Sequence, residues 1–467
     1  MVFSSTAFLF AFLPAVLCVY FLCPKRRGLR NLVLLLFSVG FYAWGGLRLL
    51  PLLGSSIVIN YVSGLLVTRT RGKKRFLTLA VILNLGLLFC YKYLGFVTEN
   101  LNRLFPSLAA VSIALPIGIS FYTFQGLSYV IDVYRGDAPC EKNPLNVALY
   151  IALFPQLVAG PIVRYTAVAG ELRERQESLS GVSEGLQRFL LGLGKKLLLA
   201  NPMAELADAV FAQDAACLST GMAWLGVIAY SAQICFDFSG YSDMAIGLGQ
   251  VFGFRFPENF RYPYLADSVT DFWRRWHISL SSWFRDYVYI PLGGSRCGTR
   301  KQLRNLLIVW LLTGVWHGAA WSFLLWGLYY GVLLILEKTV FRRALARLPK
   351  VFRHVYALLF VFIGWLIFRA SGAAQVGVFL KAMCFGAQDG AWNGQATYLL
   401  LEYRWELLGA VLFSFPVLPA LRRALERSKA GEAVLLWGAP ALALAVGFLS
   451  VLRLLASDFN PFIYFRF

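Results

Sequence analysis

Apolar runs of roughly twenty residues, separated by short basic segments, succeed one another along most of the chain. About twenty apolar residues suffice for a helix to cross the hydrocarbon core of a bilayer. The first run, Val2 to Leu22, is followed rather than preceded by its positive cluster, Lys25, Arg26, Arg27 and Arg30. That order predicts an uncleaved span with the N-terminus outside and residues 25–30 in the cytoplasm. Segments 31–47 and 50–67 then lead to Arg69, Arg71, Lys73, Lys74 and Arg75, which predicts a hairpin returning to the cytoplasm.

Further spans are expected near 76–97, 108–133, 145–163, 186–200, 222–254, 351–368, 407–421 and 434–455. Several are too short or too long for an upright crossing, so tilted, broken or partly re-entrant helices are expected. Residues 337–354 (Lys338, Arg342, Arg343, Arg347, Lys350, Arg353) and 422–429 (Arg422, Arg423, Arg427, Lys429) carry the charge of cytoplasmic loops, whereas 369–406, poor in Lys and Arg, reads as external. No internal repeat is visible. The prediction is an all-α polytopic membrane protein, a single membrane-embedded domain over residues 1–467 with its core near 108–336.

One run breaks the pattern. Between Asn305 and Leu336 the only side chain that titrates near neutrality is His317, within Trp316-His317-Gly318. An imidazole at membrane depth costs free energy and marks a functional site by default. Arg296, Arg300, Lys301 and Arg304 flank the run on one side and Lys338 onward on the other. If both flanks are cytoplasmic a single crossing is excluded, and two helices must meet near His317. Irregular backbone at that depth is tolerated only when buried in protein or facing a water-filled cavity.

Composition agrees with the pattern. Of 467 residues 58% are hydrophobic and 15% charged, and the mean hydropathy of +0.63 lies far from that of a soluble domain. The net charge of +20, from 44 basic and 24 acidic residues, is concentrated between apolar runs, where it acts as a topology determinant and not as a nucleic-acid surface. Eight scattered cysteines without a Cys-x-x-Cys pair support neither a zinc site nor a disulfide framework. The phosphate-loop and zincin motifs do not occur.

The densest polar stretch runs from Asp271 to Tyr287. As one continuous helix it places Trp273, Trp276, His277, Leu280 and Phe284 on a common face and pairs Asp271 with Arg275 one turn on. His277 then either lines a cavity or packs against a backbone carbonyl. Upstream, Phe236-Asp237-Phe238-Ser239-Gly240-Tyr241-Ser242-Asp243 puts two carboxylates in apolar surroundings. Buried carboxylates must be paired or protonated, and Arg274, Arg275 and Arg285 are the candidate partners. A structural network is as good a reading as catalysis there, and no nearby His or Cys spacing supports a metal. Leu115 to Phe121 and Phe154 to Ile162, rich in Gly and Pro, read as helix punctuation, with Gln156 available to line a polar cavity.

Together, Phe272-Trp273-Arg274-Arg275-Trp276-His277, Phe284-Arg285-Asp286-Tyr287 and Trp316-His317-Gly318-Ala319-Ala320-Trp321 resemble the membrane-bound O-acyltransferase family. The likeness covers roughly residues 1–370. It is closest to the branch that includes the alginate O-acetylation membrane protein, to which Phe238 to Asp243 and Pro155 to Pro161 are also similar. The resemblance implies a ring of roughly 10–12 tilted or broken helices around a central tunnel. It implies His317 as the catalytic histidine and His277 as the second characteristic polar position, with Trp276, Arg285, Asp286, Tyr241, Asp243, Trp316 and Trp321 as substrate-binding candidates.

By the same likeness the donor is cytoplasmic acetyl-CoA, with no bound cofactor or metal, and the protein resides in a bacterial plasma or inner membrane among its lipids. The acceptor is an extracytoplasmic polysaccharide, reached through a separate SGNH-type partner. The chemistry suits an imidazole, which can take the proton of an attacking hydroxyl and return it to the leaving thiolate. His277 or an amide near Gly318 could stabilise the oxyanion. Three alternatives stand beside this reading: a D-alanyl transferase of teichoic acids fed by a carrier-protein thioester, a lipid-linked glycan transporter, and a non-catalytic envelope scaffold.

Overall fold

A chain that buries its backbone in hydrocarbon must satisfy every N–H and C=O within its own segments, which leaves helices or closed barrels. The computed structural model describes residues 1–69, 71–107, 109–457 and 459–461, and among these there are helices and no strands. Five helices are long and apolar enough to cross a membrane, Leu47–Val67, Lys73–Leu104, Thr220–Val251, Lys350–Arg369 and Lys429–Ala456, and Arg404–Phe413 with Val417–Leu425, bent by 60°, forms a broken sixth. Two shorter apolar helices, Phe8–Leu22 and Ala373–Phe385, occur beside these among the described residues. Residues 369–406, expected outside, contain the helices Ala373–Phe385 and Gly394–Glu402.

The chain divides into two compact units, Met1–Phe189 with Tyr241–Pro257 and Leu190–Gly240 with Glu258–Phe467. In the first, α1 (Arg27–Ala43), α2 (Leu50–Val67), α3 (Lys73–Leu88) and α4 (Ile119–Arg135) pack together. The span expected near 108–133 starts at a position outside the described residues. Its helix begins only at Ile119, after Gly118, whose positive φ of 77° and contact with the Leu157 carbonyl exclude a side chain. Asn60 and Asn84 exchange amide hydrogen bonds of 3.0 and 3.1 Å between α2 and α3, a polar link suited to helices in lipid. Gln156 is buried and donates to the Tyr150 carbonyl at 2.5 Å.

Two helices, α5 (Leu179–Gly194) and α6 (Thr220–Val251), contribute to both units. They supply the ion pairs that the carboxylates of α6 require. In the second unit Lys196, just past α5, lies 2.7 Å from Asp237, with side chains 3% and 1% exposed. In the first, Arg188 pairs with Asp243 at 2.7 Å. The expected partners Arg274, Arg275 and Arg285 are not used, because Arg275 bonds Asp271 at 2.8 Å and Arg285 bonds Asp286 at 2.6 Å.

The second unit also holds α7 (Val269–Arg275), α8 (Ile278–Phe284), α9 (Thr299–His317), α10 (Trp321–Thr339) and α11 (Lys350–Arg369). The apolar run around His317 is two helices, α9 and α10, that meet at Gly318-Ala319-Ala320. Gly314 and Gly327 let their backbones touch: a Cβ on Gly314 would strike the Phe323 carbonyl, and one on Gly327 would strike the Trp310 carbonyl. Gly318 serves a related purpose, since the Phe323 ring fills the space its side chain would take.

Candidate active site

The stretch expected as one helix from Asp271 to Tyr287 breaks at His277, whose φ of 43° and ψ of 54° place it in the left-handed region. A non-glycine residue there costs on the order of 1–2 kcal/mol and persists only when its surroundings over-determine it. They do so through residues 259–261, which run beside the break: Ile278 N–H donates to the Asn259 carbonyl at 3.0 Å and Arg261 N–H to the Arg275 carbonyl at 3.0 Å. The start of α7 is held equally firmly. Ser268 Oγ accepts from Asp271 N–H at 3.0 Å, and the buried Glu337 carboxylate of α10 accepts from the N–H groups of Val269 and Thr270 at 2.6 and 2.9 Å.

This break aims His277 into the unit. Its imidazole is 1% exposed, edge-on to Phe238 at 4.6 Å, and 3.2 Å from Asn259 Oδ1 through Nδ1. Nε2 is buried with no hydrogen-bond partner among the described residues. His277 belongs to the turn between two short helices, outside the spanning helices. Burial, and then the positive charge His317 would carry, hold its proton affinity well below the usual range for histidine.

His317 closes α9 and is 8% exposed, so it does not face lipid. Trp326 at 4.9 Å, Trp316 at 5.0 Å and Phe368 at 5.4 Å surround it edge-on. Trp316 also meets His277 at 5.9 Å, so a single indole contacts both imidazoles. Trp326 continues the aromatic layer to Trp273 at 5.5 Å and Trp310 at 6.0 Å.

Trp273 and Trp310 line a cavity of about 710 Å³ whose walls include His277, Leu280 and Phe284. Four exposed basic residues, Arg274, Arg285, Lys338 and Arg342, also line it, against a single acid, Glu337. Glu337 is occupied capping α7 and Arg285 is paired with Asp286. His317 is not among the residues lining this cavity, from which the rings of Trp273, Trp310 and Trp326 lead to it.

The structure brings His277, His317, Trp316 and Trp276 into one aromatic cluster, with Trp276 packed on Trp365 at 4.8 Å and Phe260 at 5.0 Å. Arg285 lines the cavity beside its partner Asp286. Trp321 is 63% exposed at the start of α10. Tyr241 and Asp243 belong to the other unit, where Tyr241 stacks on Phe3 at 4.5 Å and Asp243 holds Arg188. Sequence reasoning did not single out Asn259, Glu337, Trp310 or the basic group Arg274, Lys338 and Arg342 as a site. A charge pair at the very end of an apolar run, Glu337-Lys338, was the available signal for that edge. Among the described residues no group of three or more His, Cys, Asp or Glu is arranged to hold a metal ion.

Comparison with known proteins adds four facts. The family model described as MBOAT, membrane-bound O-acyltransferase family, matches residues 141–375, which include Asn259, His277 and His317. A protein of Azotobacter vinelandii named probable alginate O-acetylase AlgI is 41% identical over 100% of both chains. A peptidoglycan O-acetyltransferase of Helicobacter pylori is 36% identical over 82% of this chain and 80% of its own, and a teichoic acid D-alanyltransferase of Bacillus subtilis is 30% identical over 47% and 58%.

Proposed function

The chain belongs to the membrane-bound O-acyltransferase family, and from that membership we propose that it takes acetyl groups from cytoplasmic acetyl-CoA and passes them across the membrane for O-acetylation of an extracytoplasmic polysaccharide. It is a multi-pass membrane enzyme that transfers acyl groups. The observation that carries the donor reading is the cavity of about 710 Å³, basic where it is exposed and apolar toward His277. Its volume suits a ligand site. Acetyl-CoA has the matching asymmetry, phosphates at one end and a thioester at the other, joined by a narrow arm. Phosphates favour guanidinium and ammonium partners, and among the described residues Arg274, Lys338 and Arg342 carry no competing ion pair. Trp273, Leu280, Phe284 and Trp310 offer the arm an apolar path.

In the reaction we assign to the site, the oxygen of an acceptor hydroxyl attacks the thioester carbonyl while neutral His317 takes its proton. The C–S bond then breaks, and the imidazolium returns the proton to the departing thiolate. Names of relatives that act on alginate and peptidoglycan support a polysaccharide acceptor, and an SGNH-type partner would place the acetyl group on the sugar. The test is thioester turnover by the purified full chain in lipid nanodiscs, offered either acetyl-CoA or a charged carrier protein. Saturable release of coenzyme A is expected. Turnover with the carrier alone would refute the donor assignment.

A further inference from the structure

Asn259 contributes one oxygen to three donors. Ser279 N–H lies 3.1 Å from Asn259 Oδ1, Ser279 Oγ 2.9 Å and His277 Nδ1 3.2 Å. A backbone N–H can only donate, so the amide atom facing it must be the oxygen and not the NH₂. An amide oxygen cannot donate in return, and His277 Nδ1 must therefore carry the hydrogen. Ser279 Oγ, 3.5 Å from the same nitrogen, has its own proton directed at Asn259 and presents only lone pairs to the ring. In the neutral imidazole the other nitrogen is then a bare acceptor. That nitrogen, Nε2, has no partner among the described residues, in a ring that lines the cavity.

We infer that Asn259 is a positioning residue of the transfer reaction: it locks His277 in the Nδ1–H tautomer, so that Nε2 accepts a hydrogen bond from an O–H or N–H of the cavity's occupant. This excludes the neutral His277 ring from donating through Nε2 to an oxyanion, a role the sequence left open. The strained backbone at His277, φ 43°, fits the same purpose. The segment that supplies the Asn259 side chain also captures Ile278 N–H, so one short stretch fixes both the turn and the tautomer. A third group that orients a catalytic imidazole through its far nitrogen follows the logic of known nucleophile and base arrangements.

The functional part of this inference rests on the acyl-transfer reading above; the tautomer does not. The chain has three histidines, so ¹⁵N-histidine labelling of the full protein gives three ring systems, and H277Q identifies the one of interest. In the wild-type protein Nδ1 of His277 is expected at a protonated, pyrrole-like shift and Nε2 at an unprotonated, pyridine-like shift. N259D, whose carboxylate still accepts from all three donors, should keep that pattern and stay within about tenfold of wild-type kcat. N259L should lose the pattern and lower kcat about 10- to 100-fold, the usual effect of removing an orienting partner, with KM for acetyl-CoA little changed. A wild-type spectrum with Nε2 protonated would overturn the inference, as would an N259L protein with unaltered tautomer and rate. Absence of acetyl transfer by the wild-type protein would instead overturn the function, while the spectrum would still decide the tautomer.

Discussion

Replacing Gly314 with alanine should separate the fold of the His317 hairpin from its chemistry. A Cβ there would collide with the Phe323 carbonyl and lie 3.3 Å from the Gly327 Cα, so both nearest obstacles belong to the backbone of α10 and no flexible side chain can yield. Overpacking of this kind costs about 1–3 kcal/mol, whereas alanine in place of glycine inside a helix returns about 1 kcal/mol. The net destabilisation is then about 0–2 kcal/mol, a modest loss. Activity should suffer far more. Gly314 precedes His317 by less than one turn, and separating α9 from α10 by a fraction of an ångström moves the imidazole relative to Trp326, 4.9 Å away. Misplacement of a reacting group by 1 Å can cost about 100-fold. Thermal unfolding in detergent together with acetyl-CoA turnover tests this, with a small shift in Tm and a loss of at least tenfold in kcat expected. A G314A protein with wild-type stability and wild-type turnover would refute the close-packed hairpin as the device that positions His317.

Removing the unpaired cations of the cavity, R274A or R342A, should raise KM for acetyl-CoA severalfold each while leaving kcat within about twofold, since a phosphate contact contributes uniform binding; added salt should shrink the difference. K196M, which removes the ammonium 2.7 Å from the buried Asp237 carboxylate, should destabilise the chain, and the double substitution K196M/D237L should recover most of that loss. Chemical denaturation of the two variants side by side reads the difference.

Much of the architecture was visible in the order of apolar and basic segments. The meeting of α9 and α10 at Gly318 agrees with the expectation drawn from the equal charge on both flanks of the run. Burial of His317 followed from the same pattern. The break at His277 did not, because its periodicity is continuous with a helix and the competing hydrogen bonds come from Asn259, 18 residues earlier. Helical spacing reports which residues share a face, not which other segment will claim the backbone. The carboxylates of α6 illustrate the same limit: pairing was required by burial, yet Lys196 and Arg188 were chosen by the path of α5 and not by proximity in the chain. Trp321 shares the Trp316 motif but begins a new helix after the Gly318 turn, and that change of direction exposes it.

The central claim is that His317 performs the acyl transfer, and one substitution addresses it directly. In nanodiscs with labelled acetyl-CoA and an acceptor hydroxyl, H317A should lose at least about 100-fold in kcat, the usual contribution of a general base, while acetyl-CoA binding and thermal unfolding stay close to wild type. Transfer at the wild-type rate by a folded H317A protein would contradict the account.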